Sequence, residues 1–389
     1  MPRSCVPPSV PHAPPLGTLL RRYAAGTALA CEPVDEGLLN RGYRLRTTRG
    51  RYFLKHHFDP DTADPASIAR QHRATERLAD LGVPVAPPLP GHDGRTVAVV
   101  GGHAYALHPW IDGRHRHGAQ LTPGQCGRLG ALLGVVHASL EHVMRAQGEQ
   151  APPTSEERPV RQVPPGHEGH ASPAREPERA TPPGHTARAE HTAPAEHPAA
   201  APSPDPADTF ALIDDLLARV RRHRPADSFD ELARHRLLER RTLLERHADR
   251  RPPHGGPVGW VHGDFHPFNL LYRGDAPAAI VDWDRLGVQP RAEEAVRAAA
   301  IFFVRPDGTL DLPKAGAYAR AYRRAAGATP SELAAAVHRV WWERLNDFWM
   351  LRWHYERGDT RADSQFPAAS ALAVWWTREY DAVCGAFAD

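Results

Sequence analysis

Lysine, cysteine and long apolar runs are all scarce in this chain of 389 residues. Among its 48 basic residues only Lys55 and Lys314 are lysines, so arginine carries almost all of the positive charge. The 4 cysteines lack Cys-x-x-Cys spacing, which is typical of reduced thiols in a cytoplasmic protein. The proline-rich stretch 1–15 has no signal-peptide core, and no apolar run reaches the roughly 20 residues of a membrane-spanning helix. These absences predict a cytoplasmic chain without a membrane partner.

A strong charge of one sign is also absent. The chain has 48 basic and 46 acidic residues, which gives a formal net charge of +2. Proteins that bind nucleic acid usually concentrate excess positive charge on one surface, so we expect no nucleic-acid partner here. The length is sufficient for two lobes around one cleft.

The segment from His262 to Asn269 has the pattern His-x-Asp-x4-Asn, and Asp282 follows after an apolar run. That spacing is typical of a kinase catalytic loop followed by a metal-binding aspartate. Phosphoryl transfer needs a carboxylate that accepts the proton of the attacking hydroxyl, and two further oxygen ligands for Mg²⁺. The pattern assigns Asp264 as the base and Asn269 and Asp282 as the metal ligands. His262 joins the catalytic set as the residue that orients the loop through a hydrogen bond.

A short hairpin is predicted to bring Asn269 and Asp282 together. Residues 270–272 have the pattern of a strand, 273–275 of a turn, and 279–281 of a second strand. The alternative is a surface loop whose Asp and Asn side chains only form turns. Asn269 is one of only three asparagines in the chain, which favours the chemical role.

Lys55 is predicted to lie on the second strand of another β-hairpin. Residues 38–46 and 51–55 form its strands, and 47–50 form the turn. In kinases a strand lysine contacts the α- and β-phosphates of ATP. A compact ammonium fits between phosphate oxygens where a planar guanidinium would not. In a chain that otherwise uses arginine, this favours nucleotide binding by Lys55 over an ordinary edge-strand lysine.

Taken together, these motifs resemble the aminoglycoside phosphotransferase and choline kinase superfamily, including its spore-coat-kinase-like and homoserine-kinase-like bacterial branches. The resemblance extends over roughly residues 35 to 300 with one interruption. Besides the motifs above, the matching segments are 37–40, 52–55, 81–85, 105–113 and 129–137.

The resemblance implies an α+β, protein-kinase-like fold of two lobes. The N-terminal lobe would contain a small antiparallel sheet, and the C-terminal lobe would be larger and mainly helical. It also implies ATP and Mg²⁺ as cofactors and a small hydroxylated molecule as substrate. ATP would lie near Lys55 and the hinge residues Leu107 and Trp110.

The chain departs from protein kinases in one respect and from the resembled superfamily in another. Without a Gly-x-Gly-x-x-Gly loop or an Ala-Pro-Glu ending after the metal aspartate, the chain does not fit a protein kinase. In the resembled family a helix glutamate pairs with the strand lysine, but here the alignment places Gln71 at that position. Glu76 is five residues further on and faces another side of the helix. Either Glu76 or Gln71 is therefore expected beside Lys55.

Two further acidic positions follow the metal aspartate. Asp284 is expected to have a structural role rather than to bind metal. The pair Glu293-Glu294 stands where the family often carries an aspartate, and we expect it to cap the next helix.

Composition divides the chain into five parts. Residues 1–16 are predicted to be disordered, 17–107 to form the nucleotide-binding lobe, and 108–144 the hinge and first C-lobe helix. Residues 145–208 are rich in Pro, Ala, His and Glu with few large apolar residues, so we expect a disordered insertion. The irregular spacing of its histidines favours a solvated segment over a metal site. Residues 209–389 complete the catalytic and substrate lobe.

The C-terminal segment 331–358 carries an aromatic stripe at helical spacing, formed by Trp342, Trp349 and Trp353. Such a stripe either packs into the core of its own lobe or closes the acceptor pocket. The leading function is thus phosphoryl transfer from ATP to a hydroxyl of an amino sugar, amino alcohol or sugar. The alternative is a nucleotide-binding pseudokinase that acts as a regulator.

Overall fold

The computed structural model describes residues 13–34, 40–58, 63–148, 202–253 and 255–389. Within these residues the chain has an N-terminal lobe built on a five-stranded sheet and a larger, mainly helical C-terminal lobe. The predicted α+β architecture is confirmed. In the described part of the chain, no helix is both long enough and apolar enough to cross a membrane.

The N-terminal sheet is antiparallel throughout and has the strand order β1-β2-β3-β5-β4. The predicted hairpin with Lys55 on its second strand is confirmed as β2 and β3. Two helices flank the sheet. The elements are β1 Ala28–Val34, β2 Arg41–Thr47, β3 Arg51–His57, β4 Val97–Val100, β5 His103–Pro109, α1 Leu16–Arg22 and α2 Pro65–Asp80.

The two faces of this sheet have different roles, because successive side chains on a strand point to opposite faces. One face packs Leu45, Leu54 and Leu107 against Leu19 and Leu20 of α1 in a buried apolar cluster. Lys55, next to Leu54 on β3, therefore lies on the opposite face. The register of β3 with β2 and β5 is what directs Lys55 towards the C-terminal lobe.

Helices dominate the C-terminal lobe. They are α3 Pro123–Gly148, α4 Pro206–Arg222, α5 Ser228–Arg246, α6 Arg291–Phe303, α7 Leu312–Ala326, α8 Pro330–Asn346, α9 Trp349–Arg352, α10 Phe366–Arg378 and α11 Tyr380–Ala388. The central pair is α3 and α7. They approach so closely that a Cβ on Gly130 would lie 2.1 Å from the Tyr318 carbonyl oxygen, so only glycine fits there.

Two small antiparallel ladders flank the segment that contains the predicted catalytic residues. β7 Leu270–Arg273 pairs with β8 Ala276–Ile280, which is the predicted hairpin. β6 Val258–Val261 pairs with β9 Gly287–Pro290. The loop between β6 and β7 is thus anchored at both ends.

Two sequence expectations about the C-terminal lobe differ from the structure. Residues 331–358 do not form one helix, because α8 ends at Asn346 and a separate helix, α9, begins at Trp349. Trp342 is fully buried, as expected for core packing. The predicted insertion is helical at both margins, since α3 extends to Gly148 and α4 begins at Pro206. The rest of it, 149–201, and the N-terminal residues 1–12 lie outside the described residues.

Candidate active site

The β7–β8 hairpin brings Asn269 next to the segment that carries Asp282. The Val281 amide donates to the Asn269 carbonyl over 3.0 Å, and Asp282 is the next residue. Asn269 Nδ2 in turn donates to the Asp264 carbonyl over 2.8 Å. The three residues predicted as base and metal ligands therefore belong to one hydrogen-bonded unit.

Asn269 and Asp264 each present an oxygen towards the cleft. Because Asn269 Nδ2 donates to the Asp264 carbonyl, its Oδ1 is the atom available to a cation. Burial would raise the pKa of Asp264, but the neighbouring His266 and Arg285 outweigh it and lower the pKa. His266 Nε2 is 3.5 Å from Asp264 Oδ2. Asp264 is thus ionised at neutral pH and can accept a proton.

His262 is fully buried beneath the loop. Its Nε2 lies 3.1 Å from the Val281 carbonyl oxygen and its Nδ1 lies 3.2 Å from the Asp264 amide. A carbonyl can only accept and an amide N–H can only donate, so Nε2 carries the proton and Nδ1 accepts. Burial lowers the pKa of His262, which agrees with a neutral ring. His262 therefore positions the loop and does not reach a reactant.

Glu294 on α6 fixes the start of the same loop and is a residue that the sequence pattern missed. Its carboxylate accepts from the amides of His262 at 3.2 Å and Gly263 at 2.5 Å, and it lies 2.7 Å from His137 Nε2. The sequence predicts that the pair Glu293-Glu294 caps α6, but Glu294 does not, because the cap position is Pro290. The only sequence signal for this role was an acidic residue in a largely apolar helix.

Gly263 allows the loop to pass close to the segment after Asp282. It has φ +84°, and a Cβ there would lie 2.1 Å from the Arg285 carbonyl oxygen. Both the left-handed backbone and the missing space exclude a side chain. A glycine between His262 and Asp264 is therefore a packing requirement of this loop.

Lys55 joins the two lobes through two carboxylates. Its Nζ lies 2.6 Å from Asp282 Oδ1 and 2.7 Å from Asp284 Oδ1. Burial alone would lower the pKa of Lys55, but the two carboxylates outweigh it and raise the pKa. Asp284 is thus a direct partner of Lys55. This contact is a structural role of the kind that the sequence predicts for Asp284. Asp284 also accepts a hydrogen bond from the Asn40 side chain.

The two carboxylates on Lys55 differ in exposure and in pKa. The side chain of Asp282 is 45 % exposed, and that of Asp284 is 13 % exposed. Burial tends to raise the pKa of Asp282, but Lys55 lowers it to about 2. For Asp284, burial raises the pKa more than Lys55 lowers it. Asp282 is therefore the ionised carboxylate that faces the cleft, and its left-handed backbone, φ +61°, is the local strain that turns it there.

Neither of the two α2 residues predicted beside Lys55 contacts its ammonium. Gln71 Nε2 donates to the Asp284 carbonyl over 2.8 Å, so it supports the partner of Lys55 and not Lys55 itself. Glu76, five residues on, is half-buried, and burial raises its pKa. The carboxylates that hold Lys55 come instead from the segment after β8, and the expectation that Glu76 or Gln71 pairs with Lys55 is wrong.

The hinge residues occupy different places. The Leu107 side chain lies in the apolar cluster under α1, on the sheet face opposite Lys55, and its carbonyl accepts from the Leu89 amide over 2.7 Å. The ring of Trp110 lies under the Arg44 guanidinium, 5.1 Å from it. Arg44 pairs with Phe53 on β3, so it shares the face of Lys55. Trp110 is thus at the cleft, whereas Leu107 offers no side chain to it.

The donor set fits a hard divalent cation. Mg²⁺ is bound in proteins by one or two carboxylates together with other oxygen ligands. The cleft-facing carboxylate of Asp282 and Oδ1 of Asn269 supply oxygens of this kind from adjacent hydrogen-bonded segments.

Comparison with known proteins agrees with this geometry. The model of the phosphotransferase enzyme family matches residues 30–328. The homoserine kinase of Burkholderia ambifaria is 31 % identical over 134 residues, which are 34 % of this chain and 38 % of that kinase. The aligned region is thus little more than a third of that relative.

Solved structures agree over a longer range. An aminoglycoside phosphotransferase from Alicyclobacillus acidocaldarius superposes with a TM-score of 0.53 at 14 % identity, covering 98 % of this chain and 97 % of that one. A spectinomycin phosphotransferase in complex with ADP and spectinomycin gives 0.53 at 12 % identity and covers 92 % of each chain. At such identities the likeness establishes the fold, and the protein-kinase-like prediction is confirmed. Since the family model spans most of the sequence, this chain belongs to the phosphotransferase enzyme family.

Proposed function

We propose that this protein transfers the γ-phosphoryl group of ATP, in the presence of Mg²⁺, to a hydroxyl group of a small molecule. The observation that carries the proposal is the joining of Lys55, Asp264, Asn269 and Asp282 in one site by hydrogen bonds and an ion pair. These are the groups that phosphoryl transfer requires: a base, two metal ligands and a cation for the phosphates.

Asp264 acts on the acceptor. Its lowered pKa keeps it ionised at neutral pH, so one of its carboxylate oxygens can orient the substrate hydroxyl and accept its proton as the new P–O bond forms. His266 and Arg285 lie within 4.0 Å of the same carboxylate and stabilise its negative charge. When bound to Asn269 and Asp282, Mg²⁺ would neutralise the negative charge of the phosphates.

Lys55 binds the phosphates from the opposite lobe. Asp284, which is less exposed than Asp282, holds the Lys55 ammonium in place at the cleft. The lysine therefore keeps a carboxylate partner even without the helix glutamate of related kinases. The absence of a helix glutamate beside Lys55 would favour a pseudokinase, but the contact with Asp284 weakens that argument.

The proposed acceptors are amino sugars, amino alcohols and sugars. The similar proteins are named for such molecules: a homoserine kinase, an aminoglycoside phosphotransferase and a spectinomycin phosphotransferase. An acceptor of this class presents a hydroxyl for transfer and, in most cases, an amine for recognition.

The experiment is a measurement of Mg²⁺-dependent ADP release with a panel of hydroxylated amines, amino sugars and sugars. We expect one acceptor class to stimulate release, and Asp264→Ala to lower the stimulated kcat by about 10²–10⁴-fold, the contribution of a positioned base. The matched control is Asp275→Ala at the tip of the β7–β8 hairpin, where the side chain is 73 % exposed. It should keep the wild-type rate.

Binding of Mg·ATP, measured by calorimetry, separates the remaining outcomes. A protein that binds Mg·ATP but releases no more ADP with any acceptor would support a regulatory pseudokinase. A protein that does not bind Mg·ATP would contradict the proposed site.

A further inference from the structure

A second cluster of metal-ligand side chains lies in the C-terminal lobe, on elements that carry none of the catalytic residues. It consists of His223 at the end of α4, Asp230 in the first turn of α5, and His354 in the π-helical turn Trp353–Arg357 after α9. One donor atom from each residue lies within 4.8 Å of the other two. Adjacent donors around a tetrahedral Zn²⁺ are roughly 3.3 Å apart, so a modest side-chain rotation would bring all three to coordination distance.

Asp230 is the buried anion of the cluster. Only 5 % of the residue is exposed, and its two carboxylate oxygens lie 3.1 and 3.0 Å from His223 Nδ1. The Tyr355 hydroxyl donates to one of these oxygens over 2.7 Å, and the Asp227 amide donates to the other over 3.0 Å. These donors fix the carboxylate, and the remaining lone pairs face His223 Nδ1, where a cation would replace the shared proton.

His354 is oriented in the way that metal-binding histidines usually are. Its Nδ1 lies 2.8 Å from Asp363 Oδ2, which leaves Nε2 unprotonated and free to coordinate. A carboxylate on the outer nitrogen is the usual device that sets the tautomer of a metal-ligating histidine. In the described part of the chain no residue forms a hydrogen bond with Nε2, although the His354 side chain is only 8 % exposed.

The ring of His354 is also held in place. It stacks on Phe229 with centroids 4.4 Å apart and an interplanar angle of 19°, and the His223 ring meets it nearly edge-on at 5.4 Å. Phe229 precedes Asp230 on α5, so one short segment supplies both a ligand and the wall behind another ligand. Ligand rings fixed in this way lose little freedom on binding a metal ion.

We propose that His223, Asp230 and His354 form a binding site for Zn²⁺ or a similar transition-metal ion. Two imidazoles and one carboxylate, with a fourth position for water, are a common zinc donor set. Bound metal would join the α4–α5 connection to the π-helical turn, a local distortion that often marks a functional position. The site would thereby stabilise the C-terminal segment of the lobe.

The test is titration of the metal-stripped full-length protein with ZnCl₂ against a chromophoric chelator, combined with the visible absorption of bound Co²⁺. We expect about one equivalent of tightly bound Zn²⁺ that His354→Gln or His223→Gln removes. Asp363→Asn should weaken binding by about 10–100-fold, the usual cost of losing such a partner. Circular dichroism confirms that each variant is folded. The matched control is His235→Gln on α5, whose side chain is 67 % exposed, and it should bind like wild type.

The histidines of the segment 149–201 could bind Zn²⁺ independently, so they need their own variant. We would replace His167, His170, His185, His191 and His197 with Gln in the full-length chain. If the tight equivalent and the Co²⁺ spectrum persist in this variant and are lost in His354→Gln, the proposal holds. If replacing these five histidines removes the tightly bound Zn²⁺, the proposal is wrong. It is also wrong if wild type and folded His354→Gln bind Zn²⁺ equally.

Discussion

The two sides of the candidate active site are held in different ways. The catalytic loop 262–269 is fixed entirely within the C-terminal lobe, by the buried Glu294 and His137 below it and by His262 inside it. The Lys55 side spans both lobes, since the lysine comes from β3 and its carboxylates, Asp282 and Asp284, follow β8. The proposed base, Asp264, is therefore positioned independently of the N-terminal lobe, whereas Lys55, the proposed phosphate-binding cation, depends on how the lobes meet.

This difference predicts different consequences for substitutions on the two sides. Changes under the loop should reduce the stability of the C-terminal lobe. Changes at the lobe junction should affect nucleotide binding, with a smaller loss of stability than changes under the loop.

The largest effect is expected from Glu294→Gln. The substitution removes a buried carboxylate that accepts two backbone amides and contacts His137, so we expect a loss of about 3–5 kcal/mol in the free energy of unfolding. Urea denaturation measures this loss. The control, Glu356→Gln, removes a surface pair with Arg352 and should cost less than about 1 kcal/mol. Equal losses in the two variants would refute the anchoring role of Glu294.

An intermediate effect is expected from Asp284→Asn at the lobe junction. Lys55 would lose one of its two carboxylates, and hydrogen bonds to charged groups contribute about 1.5–3 kcal/mol. We therefore expect KM for ATP to rise by roughly 10–100-fold, with a smaller change in kcat and a loss of stability below that of Glu294→Gln. Steady-state kinetics at saturating acceptor gives both constants. Asp93→Asn, which breaks an exposed pair with Arg22, is the control, and an unchanged KM for ATP in Asp284→Asn would contradict the account.

The smallest effect is expected from His266→Gln and concerns pH. A base with a lowered pKa is ionised above that pKa, so activity is lost only as the pH falls through it. The wild-type kcat/KM should therefore show no acid limb from Asp264 between pH 8 and about 5. Because His266 lowers the pKa of Asp264, His266→Gln should move the limb to higher pH. A wild-type limb near pH 6.5 that disappears in His266→Gln would identify the imidazole as the proton acceptor instead.

The local part of the site could be predicted from the sequence. The β2–β3 and β7–β8 hairpins depend on short-range strand and turn patterns, and they bring Lys55, Asn269 and Asp282 to the places that their spacing predicted. The same holds for the orienting role of His262, which bonds residues on either side of the hairpin.

The long-range part could not be predicted. Asp284 and Lys55 are 229 residues apart, and the position of Glu294 under the loop depends on how α6 packs. The family resemblance located the hinge but not the register of β5. Leu107 was therefore expected beside the nucleotide, although its side chain faces the apolar cluster. One residue of register decides whether a side chain faces the cleft or the core. The aromatic stripe does not lie on one helix, because its helical spacing continues across a break in the backbone.

The most direct test of the proposed phosphotransferase is ³¹P NMR of the reaction with the acceptor that stimulates ADP release. With wild-type protein, ATP and Mg²⁺, we predict a new phosphomonoester resonance on the acceptor, formed in step with ADP and absent with Asp264→Ala. Inorganic phosphate as the only product, whatever the acceptor, would contradict transfer to a small-molecule hydroxyl.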